Sequence, residues 1–84
     1  MALYLIRTFQ KNFERIPNDF QMQVKKSLEK LSNNPHYGKK LKGVLEGEWS
    51  FRVGDYRIIY FIDDHENIWM ETIHHRKDFY KKTR

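Results

Sequence analysis

Gly54-Asp55 is the most restrictive feature of this 84-residue chain. The pair separates Trp49 to Val53, where apolar and polar residues alternate, from Tyr56 to Ile62, rich in β-branched and aromatic types. Two such runs joined by two residues form a β-hairpin, and glycine supplies the positive φ required at the first turn position. A turn this tight sets the pairing. Val53 faces Tyr56, Arg52 faces Arg57, Phe51 faces Ile58, Ser50 faces Ile59 and Trp49 faces Tyr60. Side chains alternate between faces along each strand. One face then holds Trp49, Phe51, Val53, Tyr56, Ile58 and Tyr60, with Ile68 and Met70 expected beside them. The other holds Ser50, Arg52, Arg57, Ile59 and Phe61, with Trp69, Glu71, Ile73 and His75 expected there.

The apolar face needs a cover, and the N-terminal half supplies one. Ala2 to Phe9 reads as a strand. Phe9, Phe13 and Ile16 recur at helical spacing, and Pro17 ends that short helix. Asn18 or Asp19 is placed to cap a second helix with the stripe Phe20, Val24, Leu28 and Leu31, stopped by Asn33-Asn34-Pro35. Residues 36–48 read as a loop, Asp63 to Asn67 as a polar turn, Ile68 to His74 as the last strand, and Arg76 to Lys82 as a short basic tail or helix. The expected order is βααβββ, an α+β domain with an N-terminal helical hairpin packed on one face of a small, antiparallel-rich sheet. A chain of this length makes one domain, residues 1–84.

Cysteine is absent, which excludes a disulfide framework and a thiolate zinc site and suits the cytosol. The apolar start, Met1 to Ile6, lacks a basic leader region and stops at Arg7, so no signal peptide is expected. The longest apolar run, Ile58 to Ile62, is far short of the ~20 residues that span a bilayer. A soluble cytoplasmic protein follows, with no membrane partner.

Charge is unevenly spread. Residues 1–43 balance at +6, and residues 44–84 at −1. The basic residues gather in Lys39-Lys40-Leu41-Lys42 and from Arg76 to Arg84, while most acids of the second half fall in turns. Against that background the arginine pair stands out. Arg52 and Arg57 are forced opposite each other on the uncovered face, and like charges in a cross-strand pair destabilise by up to ~1 kcal/mol. Two readings are open. Glu71 on the neighbouring strand lies between the arginines and neutralises them, or an external anion such as a phosphate completes the site. Arginine suits the second, because its planar fork binds phosphate oxygens bidentately. The adjacent His74 and His75 point to opposite faces of a strand, so no metal site is expected.

Three segments together resemble the RelE/ParE toxin superfamily. They are Lys40-Leu41-Lys42-Gly43, the run from Trp49 to Tyr60, and Ile73-His74-His75-Arg76-Lys77-Asp78-Phe79-Tyr80. The last is closer to the RelE-like branch of mRNA interferases than to the ParE-like gyrase poisons. The resemblance implies the toxin of a type II toxin–antitoxin pair. It implies a ribosome-dependent endoribonuclease that enters the 30S A site and cuts mRNA by metal-free attack of a 2′-hydroxyl on the phosphate. A cognate antitoxin protein is the implied partner, and no cofactor is implied. Arg57 would be the phosphate and transition-state clamp, with Arg52 helping to hold the phosphate. Arg76 and Tyr80 match the C-terminal arginine and tyrosine of the RelE branch, the tyrosine orienting the RNA base. His75 matches a general acid of the Yoe-type relatives. Lys39, Lys40 and Lys42 would add phosphate affinity.

The chain also departs from the pattern. Ser50 stands where some relatives carry a strand lysine, and the glutamate that Yoe-type relatives use near Lys39 is missing. The general base is therefore open among Lys40, Lys42 and Glu71. A lysine base would need a strongly lowered pKa. The alternative is a protein without nuclease activity, a ParE-like inhibitor of DNA gyrase or a degenerate toxin.

Overall fold

The computed structural model describes residues 2–42 and 47–77. Its elements are β1 (Leu3–Leu5), α1 (Arg7–Glu14), α2 (Asn18–Asn33), a 3₁₀ turn (Pro35–Tyr37), β2 (Lys39–Lys40), β3 (Trp49–Val53), β4 (Tyr56–Ile62) and β5 (Ile68–His75). The five strands form one sheet in the order β1-β5-β4-β3-β2. This is the expected α+β arrangement with one more strand. β2 was expected as loop; two lysines have no periodicity to reveal a strand, and their pairing with Ser50 and Trp49 makes one.

The hairpin register is the one the turn demands: Trp49–Tyr60, Ser50–Ile59, Phe51–Ile58, Arg52–Arg57 and Val53–Tyr56. Gly54 has φ of +59°, and a Cβ there would stand 2.5 Å from the Phe20 ring. The turn is thus clamped under α2, with Phe20 set edge-on to Tyr56 at 5.2 Å.

The first strand is shorter than expected. The Ile6 N–H bonds the Met70 carbonyl, and the Ile6 carbonyl already accepts from Gln10, so the chain leaves the sheet and enters α1 at once. Phe9, expected as strand, is a buried helix residue. β1 pairs with β5 in parallel, Leu3 with Ile68 through Leu5 with Met70. α2 begins at Asn18 with Pro17 as its boundary residue, and neither Asn18 nor Asp19 acts as the side-chain cap. Gln21 instead ties the two helices, its amide donating to the Phe13 and Ile16 carbonyls at 3.0 and 3.2 Å. The Phe13 carbonyl, which also accepts the Ile16 N–H, and the Ile16 carbonyl both lie at the end of α1.

Phe9, Ile16, Val24 and Leu31 from the helices meet Phe51, Val53, Ile58, Tyr60, Ile68, Met70 and Ile73 from the sheet in one buried cluster. Ile73 was expected on the opposite face. A β-bulge corrects this: Ile59 faces Thr72, while Tyr60 faces Met70, so Glu71 is the extra residue. Past the bulge every side chain of β5 changes face. Ile73 goes into the core at 2% exposure, and His75 follows it to the helix side.

The turn between β4 and β5 is organised by Asp63. One carboxylate oxygen accepts from the backbone N–H of His65 and Asn67 at 2.9 and 2.8 Å, and the other from the Trp69 indole at 2.9 Å. The indole bond, more than the backbone bonds, holds its carboxyl at about 2 against an ordinary 3.8. On acidification the unfolded chain takes up this proton first. The stabilisation is therefore complete above about pH 4 and is lost as pH falls through about 2. Asp63→Ala is expected to lower the thermal midpoint at neutral pH, with the gap to the parent closing on acidification across that window, as followed by circular dichroism.

Candidate functional site

The Tyr60 side chain starts the site from inside the core. Its buried hydroxyl donates to the Pro35 carbonyl at 2.9 Å and accepts the Gly38 N–H at 3.0 Å. Burial pushes this phenol's pKa up, so it stays a neutral donor. Asn34 shapes the approach, its side chain accepting the His36 N–H at 3.2 Å. Gly38 then passes so near the sheet that a Cβ would lie 2.6 Å from the Ser50 carbonyl oxygen. That backbone crowding explains the glycine.

This loop forms one wall of an open cleft of about 520 Å³, lined by Tyr37, Gly38, Lys39, Ser50, Phe51, Arg52 and Arg57. Lys39 pairs with Ser50 in register and shares its face; Lys40 pairs with Trp49 and falls on the other. Lys40 and Lys42 are exposed and do not line the cleft. The face is not uniformly open, since Ser50 and Ile59 are each 3% exposed. Arg57 donates from Nη1 to the Ser50 hydroxyl at 3.3 Å. Ser50 thus holds the arginine in place.

Next to the cleft, Arg52, Asp55, Tyr56, Arg57 and Arg76 surround a nook of about 50 Å³. Arg76 is brought there by its backbone N–H, which donates to the Asp55 carbonyl at 2.7 Å. Of the six arginines and lysines expected at the phosphate, Arg52, Arg57 and Arg76 therefore come together, with Lys39 on the cleft wall and Lys40 and Lys42 outside it.

Two expected residues are placed elsewhere. His75 faces Tyr56, its ring edge-on at 5.5 Å, on the helix side of the sheet; the bulge carries it away from Arg57. His74 takes the position opposite Arg57, and its Nε2 lies 2.7 Å from the Thr72 hydroxyl, which also accepts the Asn12 amide at 3.0 Å. Glu71 does not stand across from the arginines, since the bulge leaves it beside Ile59 and Tyr60. Its carboxyl is pushed up to about 7 from 4.5 by burial first, then by hydrogen bonding to Glu48 and that neighbour's charge. Tyr80 lies outside the described residues, as does the basic tail beyond Lys77. Among the described residues no group of three or more His, Asp or Glu side chains is placed to hold a metal ion.

Sequence reasoning missed Tyr37, Gly38, Ser50 and Phe51 as cleft walls. It also missed the bulge, although a signal was present: apolar residues at 68, 70 and 73 step from a spacing of two to one of three.

Comparison with known proteins identifies the family. Residues 3–80 match the family model of the ParE toxin of type II toxin–antitoxin systems. The chain belongs to that family, within the RelE/ParE toxin superfamily. Over 35 residues it is 60% identical to Toxin RelE of Mycobacterium tuberculosis, a match spanning 40% of this chain and 36% of that protein. The RelB–RelE antitoxin–toxin complex of Methanococcus jannaschii contains a chain that superposes with a TM-score of 0.81 at 26% identity, covering 96% of this chain and 99% of that one. A RelBE toxin–antitoxin complex of Mycobacterium tuberculosis gives 0.79 at 28% identity, covering 89% and 90%. The chain is thus a RelE-like toxin of a type II toxin–antitoxin system.

Two outcomes test this construction. Tyr60→Phe strands the Pro35 carbonyl and the Gly38 N–H, so a loss of about 1–3 kcal/mol is expected in denaturant unfolding. For Glu71, the folded state keeps a proton that the unfolded chain has released above about pH 4.5. Stability therefore falls as pH rises towards about 7. Thermal midpoints measured across this range are expected to decline, and Glu71→Gln to flatten the decline.

Proposed function

We propose that this chain is a ribosome-dependent endoribonuclease that cuts mRNA in the A site and is silenced by a cognate antitoxin. The convergence of Arg52, Arg57 and Arg76 beside a cleft carries the reading. Guanidinium groups stay charged at any physiological pH and bind phosphate oxygens through fixed forks. In the reaction the RNA 2′-hydroxyl gives its proton to solvent as its oxygen bonds to phosphorus, the bond to the next nucleotide's 5′-oxygen breaks and that oxygen takes a proton from solvent, and negative charge gathers on the non-bridging oxygens on the way. Arg57, held by Ser50, meets that charge preorganised on a strand. Arg52 and Arg76 flank it, and Lys39 holds a neighbouring phosphate. Tyr80 orients the base, as the resemblance implies. With its ring on Tyr56, His75 is given no proton-transfer role in this reading.

The partner follows from the relatives, whose solved structures include RelB–RelE antitoxin–toxin complexes. An acidic antitoxin segment that orders on binding would complement the basic cleft. The ParE name of the matching family model, together with Ser50 in place of a lysine, favours DNA gyrase inhibition as the second reading.

Primer extension on translating ribosomes separates them. New ends within A-site codons are expected; their absence, with DNA supercoiling inhibited instead, overturns the nuclease reading. Arg57→Ala is expected to lower the cleavage rate by about 10²–10³, the usual cost of one preorganised oxyanion donor. Antitoxin binding should persist. Full toxicity in that variant would remove Arg57 from the clamp.

A further inference from the structure

The sheet face that carries the arginines at one end carries something different at the other. Tyr4, Trp69 and Phe61 sit in one register row on three neighbouring strands, β1, β5 and β4. Their flanking residues Ile68 and Met70 are fully buried, which puts the row on the face away from the helices. Tyr4 stacks on Trp69 with centroids 4.5 Å apart, and Phe61 lies nearly parallel to Trp69 at 6.1 Å. The indole is fixed by its bond to Asp63. Tyr4 is nonetheless 44% exposed, and both partners are partly exposed.

The charges around the row are acidic. Asp63 is a carboxylate at all ordinary pH values. Asp64 and Glu66 are exposed in the same turn. Glu48 and Glu71, a pair of which one keeps its proton up to about pH 7, share the face, Glu48 one step beyond the Trp49–Tyr60 pair and Glu71 at the bulge two residues after Trp69. RNA phosphates would be repelled here, so the row is not an extension of the arginine cleft. Aromatic faces rimmed by carboxylates attract guanidinium and ammonium groups. Aromatic area also favours apolar neighbours of such a cation.

We propose that the Tyr4–Trp69–Phe61 row is a docking site for a peptide segment of a protein partner that carries arginines between apolar residues. The face is then bipolar, with an anion-binding end and a cation-binding end. A partner seated on the aromatic end leaves the arginine cleft free.

The full chain, followed through the Trp69 indole N–H resonance, tests this. Trp69→Phe assigns that signal against Trp49. An eight-residue peptide of alternating Arg and Val is expected to shift the resonance to saturation with Kd below ~1 mM. The same peptide with Glu for Arg, and an oligouridylate, are expected to leave it in place. Tyr4→Ala should weaken binding about fivefold and Tyr4→Phe should retain it. Should Tyr4→Ala fail to fold, the Glu48→Gln, Glu71→Gln double variant answers the same question, with weakened binding and a shallower salt dependence expected. An unmoved indole at millimolar Arg-Val peptide, equal binding of the Glu-Val peptide, or a shift produced by oligouridylate would each overturn the proposal.

Discussion

One buried phenol carries the architecture of the site. Tyr60 lies at 0% exposure in the middle of the sheet, flanked by the Trp49 and Phe51 rings, yet its hydroxyl reaches the surface loop. By bonding Pro35 and Gly38 together it ties the end of α2 to the central hairpin. A polar group buried this deeply is costly unless both its hydrogen-bonding roles are used, and here they are. Gly38 can then lie against the Ser50 backbone, the two-residue strand β2 forms at the sheet edge, and Lys39 comes to stand on the cleft wall. The core and the candidate site therefore meet in a single side chain.

The open face is built from two like-charge pairs that resolve their repulsion by different means. Glu48 and Glu71 sit close enough that one holds its proton up to about pH 7. A carboxyl can do this because protonation removes the charge and creates a donor for its neighbour. Arg52 and Arg57 have no such recourse, since a guanidinium does not deprotonate in proteins. Ser50 accepts from Arg57, and Asp55 stands in the nook shared with Arg76. Guanidinium groups fixed on a rigid sheet beside a cleft are preorganised for an anion that arrives from outside.

Much of the fold was legible because its signals are local. The Gly54-Asp55 turn specified all five pairs of the central hairpin, and the Phe20, Val24, Leu28, Leu31 stripe specified α2 and the face it buries. Arg52, Arg57 and the run containing them pointed to the family that the comparisons show. Where reasoning failed, the deciding partner was distant in the chain. β1 ends early because Ile6 bonds Met70, and its parallel partner β5 lies at the other end of the chain.

The same division separates what the amino-acid sequence determined from what only the tertiary structure decided. Turn chemistry and alternation act between near neighbours, so they placed Arg52 against Arg57 before any fold was considered. The histidine beside them was decided by one extra residue in β5. Strict alternation puts His75 with the arginines. With Glu71 bulged out so that Ile73 can enter the core, His74 faces Arg57 and His75 packs on Tyr56. Burial of an isoleucine outweighs the regularity of a ladder, and the balance is struck only when β4, β5 and the helices are packed together.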